Sequence, residues 1–379
     1  MVRIGNTSRV CRAQTAPRFV AVVANTTKVF DSSGALRSIR LIPDNTRTTS
    51  DPGHSVARIG KYVQGLPGSG GRYAAHISCA RLGGVIVHLV DGTYEIFRQY
   101  YAPRPGHLDS AGIEIGATRG VVQSIFTMLQ DGATHVGVAT DHVIESFRND
   151  IWPTYKSSAG MDPLLLAQFD WLEDALRALG VVVWPMVDVE ADDGLASAAA
   201  VAAADPRVEQ VIICTPDKDL GQCVGGKIIQ WDRRQDKLIN GEAVIAKFGV
   251  PAESIPDWLA LVGDSADGFP GLPGFGAKSA ATLLARYGHL DDIPTEAKDW
   301  DVTVRGAAKL AATLVSQRAD AETFKLLATL RTDAAVGTVD DWQWTGPTAD
   351  FPVWCARFGW PRMANEAAAL AIARKTVGR

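Results

Sequence analysis

Nine carboxylates in the middle of the chain have the types and spacing that could do chemistry, and almost no histidine or cysteine accompanies them. They are Asp91, Asp141, Glu190, Asp192, Asp193, Asp217, Asp219, Asp264 and Asp267. Carboxylates gathered in this way repel one another and become protonated unless cations neutralise them. Ligand sets made only of oxygen suit hard cations such as Mg²⁺ or Mn²⁺ rather than zinc or copper. The pattern therefore indicates metal-dependent phosphate chemistry.

The elements that must position these acids are apolar, strand-like runs that end just before most of them. The runs cover 85–90, 135–140, 181–187 and 211–215. Helical patterns separate the runs, and the clearest, at 166–180, places leucines and a phenylalanine on one face. Alternating strands and helices predict an α/β fold with a mostly parallel central sheet flanked by helices. Ligands of such sheets collect at the carboxyl ends of the strands, where these acids fall.

The spacing within each cluster places its carboxylates on the same side of the helix or strand that carries them. Glu190 and Asp193 are one helical turn apart, and Asp192 lies beside them at the positive end of the expected helix. The pairs at 217–219 and 264–267 suit an extended strand and a helical turn, respectively. A single acidic pair is more often a helix cap or a solvated surface, but a succession of clusters after apolar runs favours a metal site.

A second motif is the glycine-rich stretch V-G-D-S-A-D-G-F-P-G-L-P-G-F-G-A-K-S-A at 262–280. It predicts a helix, a hairpin and a new helix, in a region after about residue 255 where the strand patterns stop. Glycines let a backbone approach a phosphate closely, and the amides at a helix N-terminus can donate to it. Lys278 would add a positive charge. Taken alone, the motif would favour a tight helix–helix turn.

Composition sets broader limits. At 379 residues and 46% hydrophobic, the chain can bury one large core or two moderate ones. The net charge is −4, but residues 1–83 carry twelve Lys and Arg against three Asp, which gives +9 there and −13 elsewhere. Five scattered cysteines without C-x-x-C spacing indicate a reducing compartment. No apolar stretch reaches the roughly 18 residues of a membrane span, so we expect a cytoplasmic protein.

The motifs, in their order, resemble the bacterial 5′ nuclease family, which comprises the flap endonucleases and the 5′→3′ exonuclease domain of DNA polymerase I. The resemblance is carried by L-V-D-G-T (89–93), T-D (140–141), S-F-R (146–148), Y-K (155–156), E-A-D-D (190–193), D-K-D (217–219), the 262–280 block and L-A-T-L-R-T-D (327–333). It implies a PIN-like 5′ nuclease fold with a helix-hairpin-helix DNA-binding motif. A chain of this length leaves no room for a polymerase module, so we expect a stand-alone nuclease.

The resemblance also implies roles for individual residues. The first metal site would be Asp91, Asp141, Glu190 and Asp192 with Asp193 in support, and the second Asp217, Asp219, Asp264 and Asp267. Two or more Mg²⁺ or Mn²⁺ ions there would activate water for in-line attack on a phosphodiester. Arg148 and Lys156, at the base of a helical arch, would steady the scissile phosphate, and Tyr155 would stack on a terminal base. Ordinary surface charge for the two basic residues and a core position for Tyr155 are the alternatives. The hairpin would grip the duplex, with K⁺ as a candidate ligand, through Gly271, Gly274, Gly276, Lys278 and Ser279.

Three positions depart from the family pattern. Ala159 stands where an arginine is expected after Y-K, so one phosphate contact of the arch is missing. Pro216 replaces the common glycine before D-K-D, and Gly268 replaces the usual asparagine after the last acid. None of the three removes a predicted metal ligand.

We expect three segments. Residues 1–83 would be a basic, disordered extension, 84–255 the α/β nuclease core with the arch, and 256–379 the helical DNA-binding and C-terminal region. The extension also resembles a transit peptide in composition. A start codon placed too early, or a basic tail that helps to hold DNA, would explain it as well.

These observations predict a monomeric 5′ nuclease that cuts DNA at 5′ flaps, nicks or 5′ ends in replication and repair. Substrate selection would depend on duplex shape and phosphate contacts rather than on base edges. Two other functions stay open. One is a ribonuclease on a similar acidic scaffold, which the 262–280 block disfavours. The other is a DNA-junction-binding protein without catalysis, which the Ala159 departure keeps open.

Overall fold

A computed structural model describes residues 20–23, 26–30, 36–40, 84–103 and 105–377 of the chain. The described residues before Gly84 belong to a unit separate from the rest of the chain. In it three short strands pair antiparallel in sequential order: β1 (Val20–Val23), β2 (Thr26–Phe30) and β3 (Leu36–Arg40). The rest of the predicted extension, 1–83, lies outside the described residues, so its disorder and its suggested roles stay predictions.

The second unit is built on a six-stranded sheet. Its strands are β4 (Val85–Asp91), β5 (His135–Asp141), β6 (Val182–Met186), β7 (Val208–Cys214), β8 (Ile228–Asp232) and β9 (Lys237–Ile239). They lie in the order β6-β5-β4-β7-β8-β9, and all neighbours are parallel except β8 and β9. The predicted mostly parallel sheet is confirmed. Because the parallel strands end on one side, the residues that follow β4, β5 and β7 are brought together there.

Helices cover both faces of the sheet and continue beyond it. They are α1 (Gly92–Tyr100), α2 (Gly116–Gln130), α3 (Phe147–Ile151), α4 (Pro163–Leu179), α5 (Ala191–Ala204), α6 (Gly241–Phe248), α7 (Ile255–Val262), α8 (Ala277–Tyr287), α9 (Ala307–Ser316), α10 (Arg318–Ala328), α11 (Phe351–Arg357) and α12 (Met363–Val377). The predicted helix at 166–180 corresponds to α4. Its N-cap is Asp162, with Pro163 as the first helical residue, and the left-handed Gly180 ends it.

Alternation along the strands divides the core between the two faces. Val90 of β4 and Val138 of β5 pack in the cluster that contains α2 and α4. Leu89, the residue before Val90, and Ala139, the residue after Val138, pack instead with α5. This is the period of two that a strand buried on both faces requires. The acids at the strand ends are thus held by a rigid, doubly covered sheet.

A third core lies among α6 to α10, after the last strand ends at Ile239. The predicted change from strands to helices is confirmed. Helices α11 and α12 do not belong to this third core, because Phe351, Cys355 and Phe358 pack in the same cluster as α2 and α4. The end of the described chain therefore supports the sheet. Within the described ranges, no helix combines the length and the apolar character needed to cross a membrane.

Candidate metal centre and helical hairpin

The carboxyl edge of the sheet collects the predicted acids. Asp91 and Asp141 are the last residues of β4 and β5, and Glu190 is the N-cap of α5. Asp217 follows β7, and the short 3₁₀ helix Asp219–Cys223 begins two residues later. Loops from four crossovers therefore meet at one edge, as expected for a ligand site of a parallel sheet.

Hydrogen bonds from neutral groups orient the first carboxylates. Asp91 accepts from the Tyr94 amide at 2.7 Å and from the Thr215 hydroxyl at 2.9 Å. Asp141 accepts from the Ala191 amide at 2.6 Å. Each carboxylate is buried and has no cation among these donors. These hydrogen bonds therefore position the two acids without supplying a neutralising charge.

The pKa values follow from this arrangement. Burial raises the pKa of Asp91 to about 7, and repulsion from Asp217 and Asp141 adds to the shift. Burial also raises the pKa of Asp192 well above its usual range, with further repulsion from Asp217 and Asp91. Burial raises the pKa of Asp141 as well. A bound cation would stabilise the ionised form of these acids and lower their raised pKa values.

A second group lies beside the first. Asp219, Asp264 and Asp267 each place one carboxylate oxygen within 4.8 Å of the other two. Asp219 Oδ1 is buried and accepts no hydrogen bond, and burial raises its pKa well above the usual range. Burial also raises the pKa of Asp267, to about 6. Three converging carboxylates, including one with a buried oxygen that accepts no hydrogen bond, fit a hard divalent cation.

Two lysines supply part of the compensating charge. Lys156 Nζ lies 2.7 Å from Glu190 Oε2. Burial alone would lower the pKa of Lys156, but Asp141, Glu190 and Asp267 outweigh it and raise the pKa well above its usual range. Lys218 Nζ pairs with Asp264 Oδ2 and lies 3.7 Å from Asp219 Oδ1. Both ammonium groups therefore face the two acidic groups.

Arg148 differs from its sequence-based expectation. The residue is buried, and its guanidinium binds both oxygens of Asp193, at 2.7 and 2.8 Å. Its Nε and Nη2 also donate to the carbonyls of Leu327 at 2.8 Å and Thr329 at 3.2 Å, and its Nη1 lies 3.3 Å from Glu190 Oε1. α10 and the residues after it cover the guanidinium, and its contact with a scissile phosphate stays a prediction.

Asp193 is correspondingly engaged in structure rather than open to a metal ion. Besides Arg148, it accepts the Glu190 amide at 2.9 Å and the Arg331 amide at 2.8 Å. It thereby closes the first turn of α5, the turn that carries Glu190 and Asp192. The ion pair of Arg148 with Asp193 links this turn to the segment after α10.

The segment predicted as an arch, between β5 and α4, contains one helix of five residues, α3. Tyr155 at its far side is buried in the third core, and its hydroxyl lies 3.4 Å from Glu190 Oε2. A buried ring offers no face to a DNA base, which differs from the predicted stacking role. Ala159, which replaces the expected arginine, is exposed.

The glycine-rich block forms the predicted hairpin between α7 and α8. Gly263 and Gly271 both have positive φ, and their backbones touch: a Cβ on Gly271 would lie 2.3 Å from the Gly263 nitrogen. Gly268 also has positive φ, and a Cβ there would lie 2.0 Å from the Thr154 carbonyl oxygen. Glycine at 268 therefore lets the hairpin contact the segment that carries Lys156.

The hairpin residues predicted to contact DNA are not equally available. Gly274, Gly276 and Lys278 are exposed, whereas Gly271 is buried in the backbone contact just described. The Ser279 hydroxyl is bonded to the Gly276 amide and carbonyl, each at 3.0 Å, so it caps α8. The exposed amides at the start of α8 leave room for an anion.

Sequence reasoning missed Thr215, Lys218 and Ser146. Thr215 orients Asp91, Lys218 pairs with Asp264, and the Ser146 hydroxyl donates to Glu190 at 2.8 Å. Their positions carried a signal, because each lies in or next to a motif that holds a predicted site residue. The motif alone could not show which side chain faces the acids.

Divalent ions should stabilise the protein increasingly as pH rises. The folded-state pKa values of Asp91, about 7, and Asp267, about 6, exceed the ordinary value of 3.8. Their contribution to stability is fully present below the unfolded value and is lost as pH rises through these folded values. Ions that bind the ionised acids offset this loss, by about 2.7 kcal/mol at a hundredfold excess over Kd.

The check is thermal unfolding with EDTA and with Mg²⁺, at about pH 5 and about pH 8. The Mg²⁺-minus-EDTA difference in Tm should be small at the lower pH and larger at the higher. An ionic-strength control with KCl separates specific binding from screening. Equal differences at both values would contradict the linkage.

A parallel-sheet scaffold, converging carboxylates that could hold a metal ion and a glycine-rich helical hairpin together define an α/β protein of the nuclease type. Two family models match the chain. The N-terminal resolvase-like domain of 5′-3′ exonucleases covers residues 86–249, and the C-terminal SAM-fold domain of the same enzymes covers 250–350. The chain belongs to the 5′-3′ exonuclease family.

Individual relatives agree with this assignment. The 5′-3′ exonuclease of Aquifex aeolicus is 31% identical over 218 residues, which are 57% of this chain and 73% of that protein. DNA polymerase I of Rhizobium leguminosarum is 37% identical over 214 residues, which are 54% of this chain and 21% of the polymerase. The chain thus matches about a fifth of that polymerase's length.

Solved structures share the fold. The bacteriophage T5 D15 protein, co-crystallised with metal ions, has a TM-score of 0.52 and 18% identity, covering 75% of this chain and 99% of that one. The catalytic core of Rad2 in complex with DNA substrate has a TM-score of 0.52 and 16% identity, covering 77% and 92%. Such low identity supports the architecture and leaves the chemistry to the residues present here.

Proposed function

We propose that this chain is a divalent-metal-dependent 5′ nuclease that hydrolyses DNA phosphodiesters at 5′ ends, nicks or flaps. The observation that carries the proposal is the convergence of Asp219, Asp264 and Asp267 within 4.8 Å, beside the mutually repelling acids Asp91 and Asp192. Such a cluster has no evident structural purpose, because it destabilises the fold until cations bind.

Mg²⁺ or Mn²⁺ is the cofactor we propose. Bound ions would be held by Asp91, Asp141, Glu190 and Asp192 on one side and by Asp217, Asp219, Asp264 and Asp267 on the other. When bound, they would supply an activated water and stabilise the leaving oxygen of an in-line displacement. Asp193 is left out of the ligand set, since its oxygens bind Arg148 and two amides.

The chain's own residues orient the centre and handle the phosphate. The Tyr94 amide and the Thr215 hydroxyl hold Asp91, and the Ala191 amide holds Asp141, so these carboxylates need little rearrangement. Lys156 is the predicted catalytic cation that stays partly exposed, with 26% of its side chain accessible. We propose that its ammonium donates to an oxygen of the scissile phosphate.

DNA is the substrate that the surroundings favour. The exposed start of α8, with Gly276 and Lys278, can receive a backbone phosphate without reading sequence. The relatives named above include a DNA polymerase I and a 5′-3′ exonuclease, and the Rad2 core was solved with a DNA substrate. We propose that one protein monomer acts at each DNA junction. It would select substrates that combine a duplex with an adjoining 5′ single strand.

The test is a labelled duplex with a 5′ flap, incubated with Mg²⁺, with Mn²⁺ and with EDTA. Cleavage near the junction is expected with either ion and none with EDTA. A matched RNA flap should be cut more slowly. Cleavage that persists in EDTA would rule out the metal mechanism, and tight binding without cutting would favour a junction-binding protein instead.

A further inference from the structure

We propose a separate site for a transition-metal ion, formed by His142, Asp170 and Glu173. Each side chain offers one ligand atom, and the three atoms lie within 4.8 Å of one another. The set differs in chemistry from the carboxylate centre proposed above, because it contains an imidazole. Mixed nitrogen and oxygen ligands favour ions such as Zn²⁺, Co²⁺ or Cu²⁺ over Mg²⁺.

The distances between the three groups suit one small ion. His142 Nδ1 lies 3.2 Å from both Glu173 oxygens and 3.6 Å from Asp170 Oδ1. Ligands about 2.0–2.1 Å from a tetrahedral zinc ion are about 3.3–3.4 Å apart. The distances from the imidazole to each carboxylate are therefore close to the edges of such a coordination sphere.

The His142 site and the carboxylate centre that includes Asp141 lie on opposite faces of the sheet. Thr140 and His142, two residues apart, both contact Glu173 of α4. Asp141 lies between them and contacts Ala191 of α5 instead. Because side chains alternate along an extended chain, the same strand end serves one ion on each face.

The scaffold holds the buried ligand and leaves the entrance open. Glu173 is buried, and the Thr140 hydroxyl donates to its Oε1 at 2.7 Å, which orients the carboxylate. Asp170 precedes it by one helical turn on α4 and is exposed, and His142 is partly exposed. An ion can therefore reach the three ligands from solvent.

Arg177 is the group that competes with an ion for this site. Its Nη2 lies 3.4 Å from Glu173 Oε2, and its Nη1 lies 3.0 Å from Asp174. A simple surface network of His142, Arg177 and the acids would need no metal. The two interpretations differ in one respect: only a metal site predicts tighter ion binding when Arg177 loses its charge.

The experiment uses Cu²⁺ as the probe and electron paramagnetic resonance as the readout. Mg²⁺ saturates the carboxylate centre proposed above. The wild-type protein should show hyperfine coupling to one imidazole nitrogen. His142→Gln should remove the coupling and weaken Cu²⁺ binding by about tenfold or more, Asp170→Asn should weaken it, and Arg177→Gln should strengthen it. Circular dichroism would verify that each variant is folded.

His289→Gln is the matched control, because His289 is also partly exposed and also pairs with a buried carboxylate, Asp257, at 2.9 Å. It has Lys325 as a neighbour of that carboxylate, where His142 has a second acid. The control should keep the coupling. An unchanged nitrogen signal in folded His142→Gln, or weaker binding in Arg177→Gln, would overturn the proposal.

Discussion

Asp192→Asn is expected to reduce cleavage of a 5′-flap duplex by about a hundredfold to a thousandfold or more, while DNA binding survives. The carboxylate of Asp192 interacts with Asp217, Asp91 and Asp141, so it lies where the two acidic groups meet. Asparagine keeps the shape and removes the charge. The centre then binds divalent ions less tightly and holds them less well oriented.

The same substitution should make the metal-free protein more stable. Burial and repulsion raise the pKa of Asp192 well above its usual range, which means that its ionised form destabilises the fold. In EDTA at neutral pH, the Tm of Asp192→Asn should therefore exceed that of the wild type. Lost activity combined with a higher Tm is a pattern that simple misfolding cannot produce.

Asp188→Asn is the control for this variant, since Asp188 is exposed and precedes the same helix. It should leave both cleavage and Tm in EDTA unchanged. Cleavage by Asp192→Asn at the wild-type rate would show that the acids of this edge are not the catalytic centre, and the proposed function would fall with it.

Arg148→Met is expected to lower the free energy of unfolding by about 3–5 kcal/mol, the usual result of leaving one partner of a buried ion pair alone. The substitution leaves the fully buried Asp193 carboxylate without its ion-pair partner. It also removes the donors to the carbonyls of Leu327 and Thr329. Urea unfolding followed by circular dichroism measures the loss. Cleavage should fall as a consequence, because the first turn of α5 loses its anchor.

Arg207→Met provides the comparison. Arg207 also pairs with carboxylates, those of Asp205 and Asp340, but more than half of its side chain is exposed. Its replacement should change stability by less than about 1 kcal/mol. If Arg148→Met instead lost cleavage at unchanged stability, the guanidinium would be acting on the phosphate, as the sequence motif first indicated.

Much of the fold could be read from local patterns. Apolar, β-branched runs such as 85–90 and 211–215 became strands β4 and β7, because each is short, continuous and buried on both faces. The stop at Gly180 and the hairpin at 262–280 followed from glycines with positive φ. Side chains and backbone within a few residues decide such features.

The candidate metal centre was also largely predictable. Asp91, Asp141 and Glu190 lie at the ends of elements on one edge, and that placement follows from parallel strand direction once the fold class is known. The resemblance implied a helical arch between β5 and α4 without its length, and the structure has one helix of five residues there.

The sequence by itself determined that the sheet is mostly parallel, that acids follow its strands and which chemical class of ion these acids would hold. These features depend on periodicity, charge and oxygen ligation. Only the tertiary structure decided which polar residues face that centre. Arg148 donates to carbonyls 179 and 181 residues away, which makes it an internal anchor of the fold. Whether a charged side chain reaches a substrate or a buried partner depends on what the distant chain brings to it, and no local pattern contains that information.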